Sequence, residues 1–189
     1  HWELLGFVDD NPEVQDQSFA GYKVLGGREA LPALLRDYPD AKLVAVPGSP
    51  HNYRRRQELI ASLGVDRSRF ATLVHPRATI GVGCTIGTNT LIMAGVVLTA
   101  NARIGDHCVI LPNTVISHES QIGEHTLIGS NVTVSGSVTV AKNCYIGSGS
   151  KLINGISIGE GALLGLGSVV IRDVEALTVV AGCPARELK

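Results

Sequence analysis

Between Val74 and Val170 an aliphatic residue returns at every sixth position without a break. The series reads Val74, Ile80, Ile86, Ile92, Leu98, Ile104, Ile110, Ile116, Ile122, Ile128, Val134, Val140, Ile146, Leu152, Ile158, Leu164, Val170. Two residues before each stands a mostly small one, such as Ala78, Cys84, Thr90, Cys108, Thr114, Ser120, Cys144 or Ser168. Gly often follows the aliphatic residue, as at Gly81, Gly105, Gly123, Gly147 and Gly165. A period of six is a multiple of the strand repeat and does not fit a helix. The β-branched bias agrees with strand. Short strands joined by regular bends must coil into a solenoid, and the glycines supply positive φ or close backbone approach at the bends. Three hexads per turn close a triangular prism, so residues eighteen apart stack about 4.8 Å from each other. The bulky aliphatic residue fills the interior and the small one packs in the corner.

The first 73 residues follow another rhythm. Leu4 to Val8 predicts a strand ending at Asp9-Asp10-Asn11-Pro12, and Arg28 to Tyr38 predicts a helix after Gly26-Gly27. Lys42 to Val46 predicts a second strand before Pro47-Gly48-Ser49-Pro50. His51 to Leu63 predicts a helix closed by Gly64, and Arg69 to Leu73 a third strand. Strands alternating with helices imply a parallel α/β unit of Rossmann-like type. Asp9, Asp10 and Gly48 then fall at strand C-terminal ends, where open α/β sheets bind ligands. A strand with a Gly-rich phosphate loop would normally precede Leu4, so this unit is expected to be truncated or to lack part of its site. The expected organisation is an α/β domain over 1–73, a β-helix over 74–175 and a tail over 176–189.

Composition adds exclusions. The net charge of −1 and the want of like-charge runs give no reason to expect nucleic acid. No apolar stretch is long enough to span a bilayer, and no signal-peptide pattern opens the chain at His1-Trp2-Glu3, so a cytoplasmic protein is expected. Aromatics make up 4% of residues, which suits a core of stacked aliphatic side chains. Cys84, Cys108 and Cys144 fall at the small repeat position and Cys183 near the end; without CxxC spacing they read as free thiols.

The hexads resemble the left-handed parallel β-helix of hexapeptide-repeat transferases, and the handedness comes from that resemblance alone. Four further segments narrow it: Gly6-Phe7-Val8-Asp9-Asp10-Asn11-Pro12, Val24-Leu25-Gly26, Ile116-Ser117-His118-Glu119-Ser120-Gln121-Ile122-Gly123, and Val180-Ala181-Gly182-Cys183-Pro184-Ala185-Arg186. With them the chain is similar to the sialic-acid O-acetyltransferase and UDP-amino-sugar N-acetyltransferase family. The resemblance implies transfer of an acetyl group from acetyl-CoA to an amino or hydroxyl group of a nucleotide-linked or cell-surface sugar. It implies a homotrimer with active sites between prisms, and no metal. His118 becomes the general base and Glu119 the carboxylate that raises its basicity, chemistry that an imidazole near its ordinary pKa can perform at neutral pH. Gly136, eighteen residues on, offers a backbone N–H to the developing oxyanion. Coenzyme A contacts are implied at Leu127, Ser148 and Leu166, and Arg186 and Lys189 are candidates for its 3′-phosphate. Many relatives carry a second His where Leu127 stands and an acid where Ser117 stands.

Plainer readings stand beside these. Asp9 and Asp10 form either a turn or contacts to a uridine or sugar. The run Arg54-Arg55-Arg56 reads as a solvated helix face, and His75 beside Pro76 as structural. His107 and His125 are eighteen apart and should stack. Because hexapeptide β-helices include zinc carbonic anhydrases, a zinc hydratase is one alternative, and a non-catalytic scaffold is another.

Overall fold

A computed structural model describes residues 2–15 and 17–188; Lys189 lies outside the described residues. The chain divides into two compact units, 1–42 and 43–189, each considered by itself.

In the first unit, Ser18–Phe19 pairs antiparallel with Tyr22–Lys23 through a two-residue turn. Ala20 and Gly21 both take positive φ, 49° and 85°, as a primed hairpin turn requires. Phe7 packs edge-on against Phe19, ring centroids 6.2 Å apart. The helix expected after Gly26-Gly27 is present as a 3₁₀ turn, Arg28–Ala30, continuing into an α-helix, Leu31–Asp37.

The second unit opens with a 3₁₀ turn, Tyr53–Arg55, running into an α-helix, Arg56–Ala61, with Gly64 in the left-handed region just beyond. The strands expected at 4–8, 42–46 and 69–73 do not build a parallel sheet. What remains of them is two isolated parallel bridges, Phe7 with Val24 and Leu43 with Phe70, while Leu73 joins the solenoid. Parallel pairing is the weaker kind per residue, and a segment with one bridged partner does not extend into a ladder.

From Leu73 onward the chain is a parallel β-solenoid of about six turns, arranged like a left-handed β-helix. Two-residue strands stack at intervals of eighteen into three sheets; Ile116, for example, pairs with Leu98 on one side and Val134 on the other. The coil ends where Val179 pairs with Leu163 and then turns back in an antiparallel hairpin, Val179–Gly182 with Ala185–Glu187. From Ile92 through Val170 the periodic aliphatic residues form one buried core. Each contributes about 2 kcal/mol of burial before entropy is charged against it.

The small corner residues do more than fill space. Thr114, Ser120 and Ser150 are fully buried, and their hydroxyls donate to Gly129, Ser135 and Gly165 carbonyls on the next coil at 2.8, 2.8 and 3.0 Å. Cys108 and Cys144 donate in the same way at 3.2 Å, and burial pushes their thiols up to about 12 and about 11. The glycines after the aliphatic residues serve close approach: a Cβ at Gly123 would meet the Lys142 nitrogen at 2.5 Å. Positive φ belongs instead to the residue three beyond the aliphatic one, which at successive corners is Asn101, His107, Asn113, Glu119, His125 and Asn131.

Candidate active site

His118 and Gly136 occupy the same corner on successive coils, each two residues beyond a core aliphatic residue. The imidazole is exposed and lies against Gly136, where an added Cβ would strike its Nε2 and Cε1 atoms. Gly136 has no positive φ, so what it provides is room for the ring. The Ser137 N–H donates to the His118 carbonyl at 2.8 Å and fixes the two coils in register.

Glu119 follows at φ 57°, in the left-handed corner conformation. This turns its carboxylate toward the ring, with Oε2 3.8 Å from His118 Nδ1. That is too long for a hydrogen bond and short enough for a charge to be felt. Oε2 also lies 3.3 Å from the Ser137 hydroxyl, which donates to it. Nδ1 therefore faces the carboxylate and Nε2 the space above Gly136.

The Gly136 N–H shares its position in the hexad with N–H groups that are capped and others that are not. At the same position in two other hexads, the Thr88 N–H donates to Asp106 Oδ1 at 2.7 Å and the Ser130 N–H to Ser148 Oγ at 3.1 Å. In each case the acceptor stands eighteen residues further on. For Gly136 that position is Asn154, which is exposed, and among the described residues no side chain takes the Gly136 N–H. The corner thus presents an open imidazole and an uncapped main-chain donor on adjacent turns.

Ser148 and Leu166 stack on another corner, Leu166 being 74% exposed. Leu127 is buried on the flat face beside that corner, in a small cluster with Tyr53 and Val109. Arg186 is exposed in the terminal hairpin and donates to its own neighbour's carbonyl, Ala185, at 2.9 Å. Gly48 takes φ 128° in the loop after Val46. In the first unit, Asp9 accepts the Asn11 N–H at 2.8 Å, the bond of an Asx turn. Asp10 accepts from the Arg28 backbone N–H at 2.8 Å and from Arg28 Nε at 2.7 Å, and these bonds hold its carboxyl below the usual carboxylate range.

The arginine run is a solvated face only in part: Arg54 and Arg55 are exposed, Arg55 being paired with Glu58 at 3.3 Å, and Arg56 is not. Arg54 donates to the Gly161 and Leu177 carbonyls at 2.9 and 2.8 Å. Arg56 is fully buried and donates to three carbonyls: His125 at 3.1 Å, His107 at 2.7 Å and Pro47. Burial lowers its pKa to about 10, which leaves it charged at neutral pH. No periodicity marks Arg56 out; only its helical offset from the exposed Arg55 hints at an inward face.

His107 and His125 do stack, 4.7 Å apart and 6° from parallel. Asn89 Oδ1 accepts the Ala45 N–H at 2.8 Å, which orients the amide so that Nδ2 faces His107 Nδ1 at 2.9 Å. An amide nitrogen only donates, so His107 Nδ1 accepts and the ring is neutral. Burial above all, with the positive Arg56 adding to it, lowers the His125 pKa to about 4. Rings stacked face to face do not converge on a metal, and among the described residues no three His, Cys, Asp or Glu cluster to hold one.

A family model described as the GMPPB C-terminal domain matches residues 70–169. No curated protein matches the chain. Among solved structures, PerB from Caulobacter crescentus in complex with CoA and GDP-perosamine is 28% identical, with a TM-score of 0.85 over 97% of this chain and 84% of that one. The perosamine N-acetyltransferase from the same organism, with a histidine replaced by asparagine, is 27% identical at a TM-score of 0.86, over 97% and 84%. The acetyltransferase domain of PglB from Neisseria gonorrhoeae in complex with acetyl coenzyme A is 27% identical at 0.83, over 97% and 85%.

Proposed function

The chain belongs to the GMPPB C-terminal domain family of hexapeptide-repeat proteins, and from that premise we propose that it is a sugar N-acetyltransferase using acetyl-CoA and a nucleotide-linked amino sugar. The observation that carries this reading is the corner itself: an exposed imidazole over a glycine whose N–H is uncapped. The similarity to enzymes with CoA and a nucleotide sugar in place supports it over nearly the whole chain.

In this reading the sugar amine attacks the thioester carbonyl carbon and an N–C bond forms. Nε2 of His118 takes the proton that the attacking nitrogen sheds. Glu119, facing Nδ1, stabilises the imidazolium, and the Gly136 N–H meets the oxyanion. Collapse breaks the C–S bond, and the proton passes from His118 to the departing sulfur.

The finer assignments belong to the same proposal. The pantetheine arm of acetyl-CoA lies along the Ser148–Leu166 corner beside Leu127, with Arg186 toward the 3′-phosphate. Asp9 and Asp10 of the first unit are candidate contacts to the nucleotide sugar, and so, taken by itself, is Gly48 of the second. Three copies form a trimer with sites between prisms. Free thiols at Cys84, Cys108 and Cys144 and the nature of both substrates fit the cytoplasm.

The test is release of free thiol from acetyl-CoA against a panel of nucleotide-linked amino sugars, GDP-perosamine included. Wild type should respond to at least one acceptor, and His118→Ala should lose about 10²-fold or more in kcat, the worth of a positioned base. Equal rates in the two proteins would overturn the reading.

A further inference from the structure

The three outer faces of the solenoid differ in kind. Outward positions on one face are Arg103, Gln121, Thr139 and Ser157, and on a second Val97, Val115, Thr133 and Lys151. On the third they are Leu91, Val109, Leu127, Tyr145 and Leu163, all apolar, and Tyr53 packs on part of it. The second face runs between two corners, that of Ser148 and Leu166 on one edge and that of His118 on the other. In the trimer proposed above, the His118 corner of one copy meets the Ser148–Leu166 corner of the next, and the donor lies in the groove between them.

The His118 corner continues toward the C-terminus in a fixed order. Two residues beyond the stacked Ile116, Val134, Leu152 and Val170 stand His118, Gly136, Asn154 and Arg172. One position before Asn154 and Arg172 are Ile153 and Ile171, 45% and 43% exposed. Away from the imidazole the corner thus offers a main-chain amide, an apolar pair and a guanidinium. Coenzyme A presents a matching order from its sulfur: amides, a dimethyl-bearing carbon and a pyrophosphate. The lengths agree too. Arg172 stands three coils beyond His118, about 14 Å at the strand spacing. An extended pantetheine arm measures about 16 Å from sulfur to pyrophosphate by standard bond lengths. In a threefold trimer with prisms along its axis, equal residues stand at equal heights. Leu166 precedes Arg172 by six residues, a third of a coil, so Arg172 of one copy is level with the far end of the Ser148–Leu166 corner of the next.

The local structure leaves Arg172 free to take an anion. Its corner is two residues short, since Val174 bridges Ile158 at a separation of sixteen instead of eighteen. Asp173 fastens that turn, its Oδ1 accepting the Ser157 N–H at 2.8 Å. The Arg172 side chain is exposed, and among the described residues no ion pair or hydrogen bond holds it. It lines a half-open pocket of about 200 Å³ together with Arg186. Glu175 and Glu187 line the same pocket. Their charges disfavour an ion held by charge alone and favour one that a planar guanidinium grips through two hydrogen bonds, as it does a phosphate.

We propose that Arg172 binds the pyrophosphate of acetyl-CoA from the same prism that supplies His118, with Arg186 in the same pocket toward the 3′-phosphate. The inference rests on the acetyltransferase reading above and adds the residue that holds the far end of its donor. Ile153 and Ile171 lie under the arm between the two ends.

The experiment compares acetyl-CoA, acetyl-dephospho-CoA and S-acetylpantetheine as donors for wild type, Arg172→Gln and Arg172→Lys, by steady-state kinetics and by calorimetry without acceptor. Arg172→Gln should raise KM and Kd for acetyl-CoA about tenfold or more and leave kcat unchanged, the mark of a charge-assisted contact made equally before and during reaction. Acetyl-dephospho-CoA keeps the pyrophosphate and should show the same loss. S-acetylpantetheine lacks it, and wild type and Arg172→Gln should use it with equal kcat/KM. Arg172→Lys should fall between for acetyl-CoA. Equal KM and Kd for acetyl-CoA in wild type and Arg172→Gln, with turnover intact, overturn the inference and leave the proposed function standing. An equal loss with S-acetylpantetheine also overturns it, because the contact would not be to phosphate. A loss with acetyl-CoA that vanishes with acetyl-dephospho-CoA overturns the pyrophosphate assignment in favour of the 3′-phosphate. No binding of acetyl-CoA to wild type overturns both readings.

Discussion

The imidazole of His118 rests on the backbone of Gly136, one coil further along, where any side chain would collide with the ring. The geometry makes Gly136→Ala a positional experiment. The new methyl group would meet the ring and swing Nε2 away from the place where the amine must sit, while φ at this site is ordinary for alanine. We expect kcat to fall about 10²-fold, since small misplacements of a catalytic group carry that cost, with Tm nearly unchanged. Full activity in the Gly136→Ala enzyme would place the base elsewhere.

The role of the Gly136 amide can be tested although it is main chain. Asp106 and Ser148 show how a side chain eighteen residues on caps this N–H position. Asn154→Asp would offer the same cap to Gly136, with a negative charge beside the developing oxyanion. A loss of about 10²–10³-fold in kcat, with little change in the Kd for acetyl-CoA, is the expected result. Asn154→Ala, which caps nothing, should remain active. If both variants behave alike, the amide is not the oxyanion donor.

How much of this is legible in the sequence divides by the kind of force involved. The solenoid is legible because each coil repeats one packing problem, so Ile116 and Val134 carry the same information as the other core residues. His118, Glu119 and Gly136 emerge from a motif and an eighteen-residue step, both properties of the linear chain. The positive φ at Glu119 does not, because Glu is an unusual occupant of a position held mostly by Asn and Gly. Arg56 misleads because its burial depends on carbonyls 51 and 69 residues away, which local pattern does not encode. The apolar third face is present in the sequence at Leu91, Val109, Leu127, Tyr145 and Leu163. It shows only when every third hexad is read together.

Glu119 should matter less than its place in the motif suggests. The pair with His118 is 3.8 Å apart and well exposed on both sides. Exposed pairs are worth about 0–1 kcal/mol, so Glu119→Gln should lower kcat only about fivefold. Measuring kcat at low and high salt adds a check: the difference between wild type and variant should shrink as ionic strength rises. A loss of about a thousandfold would mean that Glu119 is desolvated in the working enzyme.

Arg56 is the reverse, a surface-looking residue with a large stake in stability. Replacing it by Met leaves the buried His125 carbonyl and the half-buried Pro47 and His107 carbonyls without this donor. At about 1–3 kcal/mol per unsatisfied group, partly relieved by relaxation, a loss on the order of 3 kcal/mol is expected from urea unfolding. Arg56→Lys keeps the charge but lacks the planar fork that reaches three acceptors, and should fall between. A neutral Arg56→Met would show that the loop does not depend on this clamp.

The stacked histidines predict how the fold responds to acid. His125 is buried with its Nδ1 atom unpartnered, and its pKa is lowered to about 4 from an ordinary 6.5. Between those values the unfolded chain binds a proton that the folded chain does not, so stability must fall as pH drops from about 6.5 toward 4. His107 shifts in the same direction, also through burial, and adds to the slope. The loss attributable to His125 should reach about 3 kcal/mol near pH 4. Urea unfolding of wild type and His125→Phe at pH 7 and pH 4.5 isolates it, since Phe keeps a ring in the stack and cannot take a proton. The variant should lose less stability than wild type over that interval. Parallel losses in the two proteins would mean that the ring at 125 finds a partner for its proton, and that the acid response comes from elsewhere in the fold.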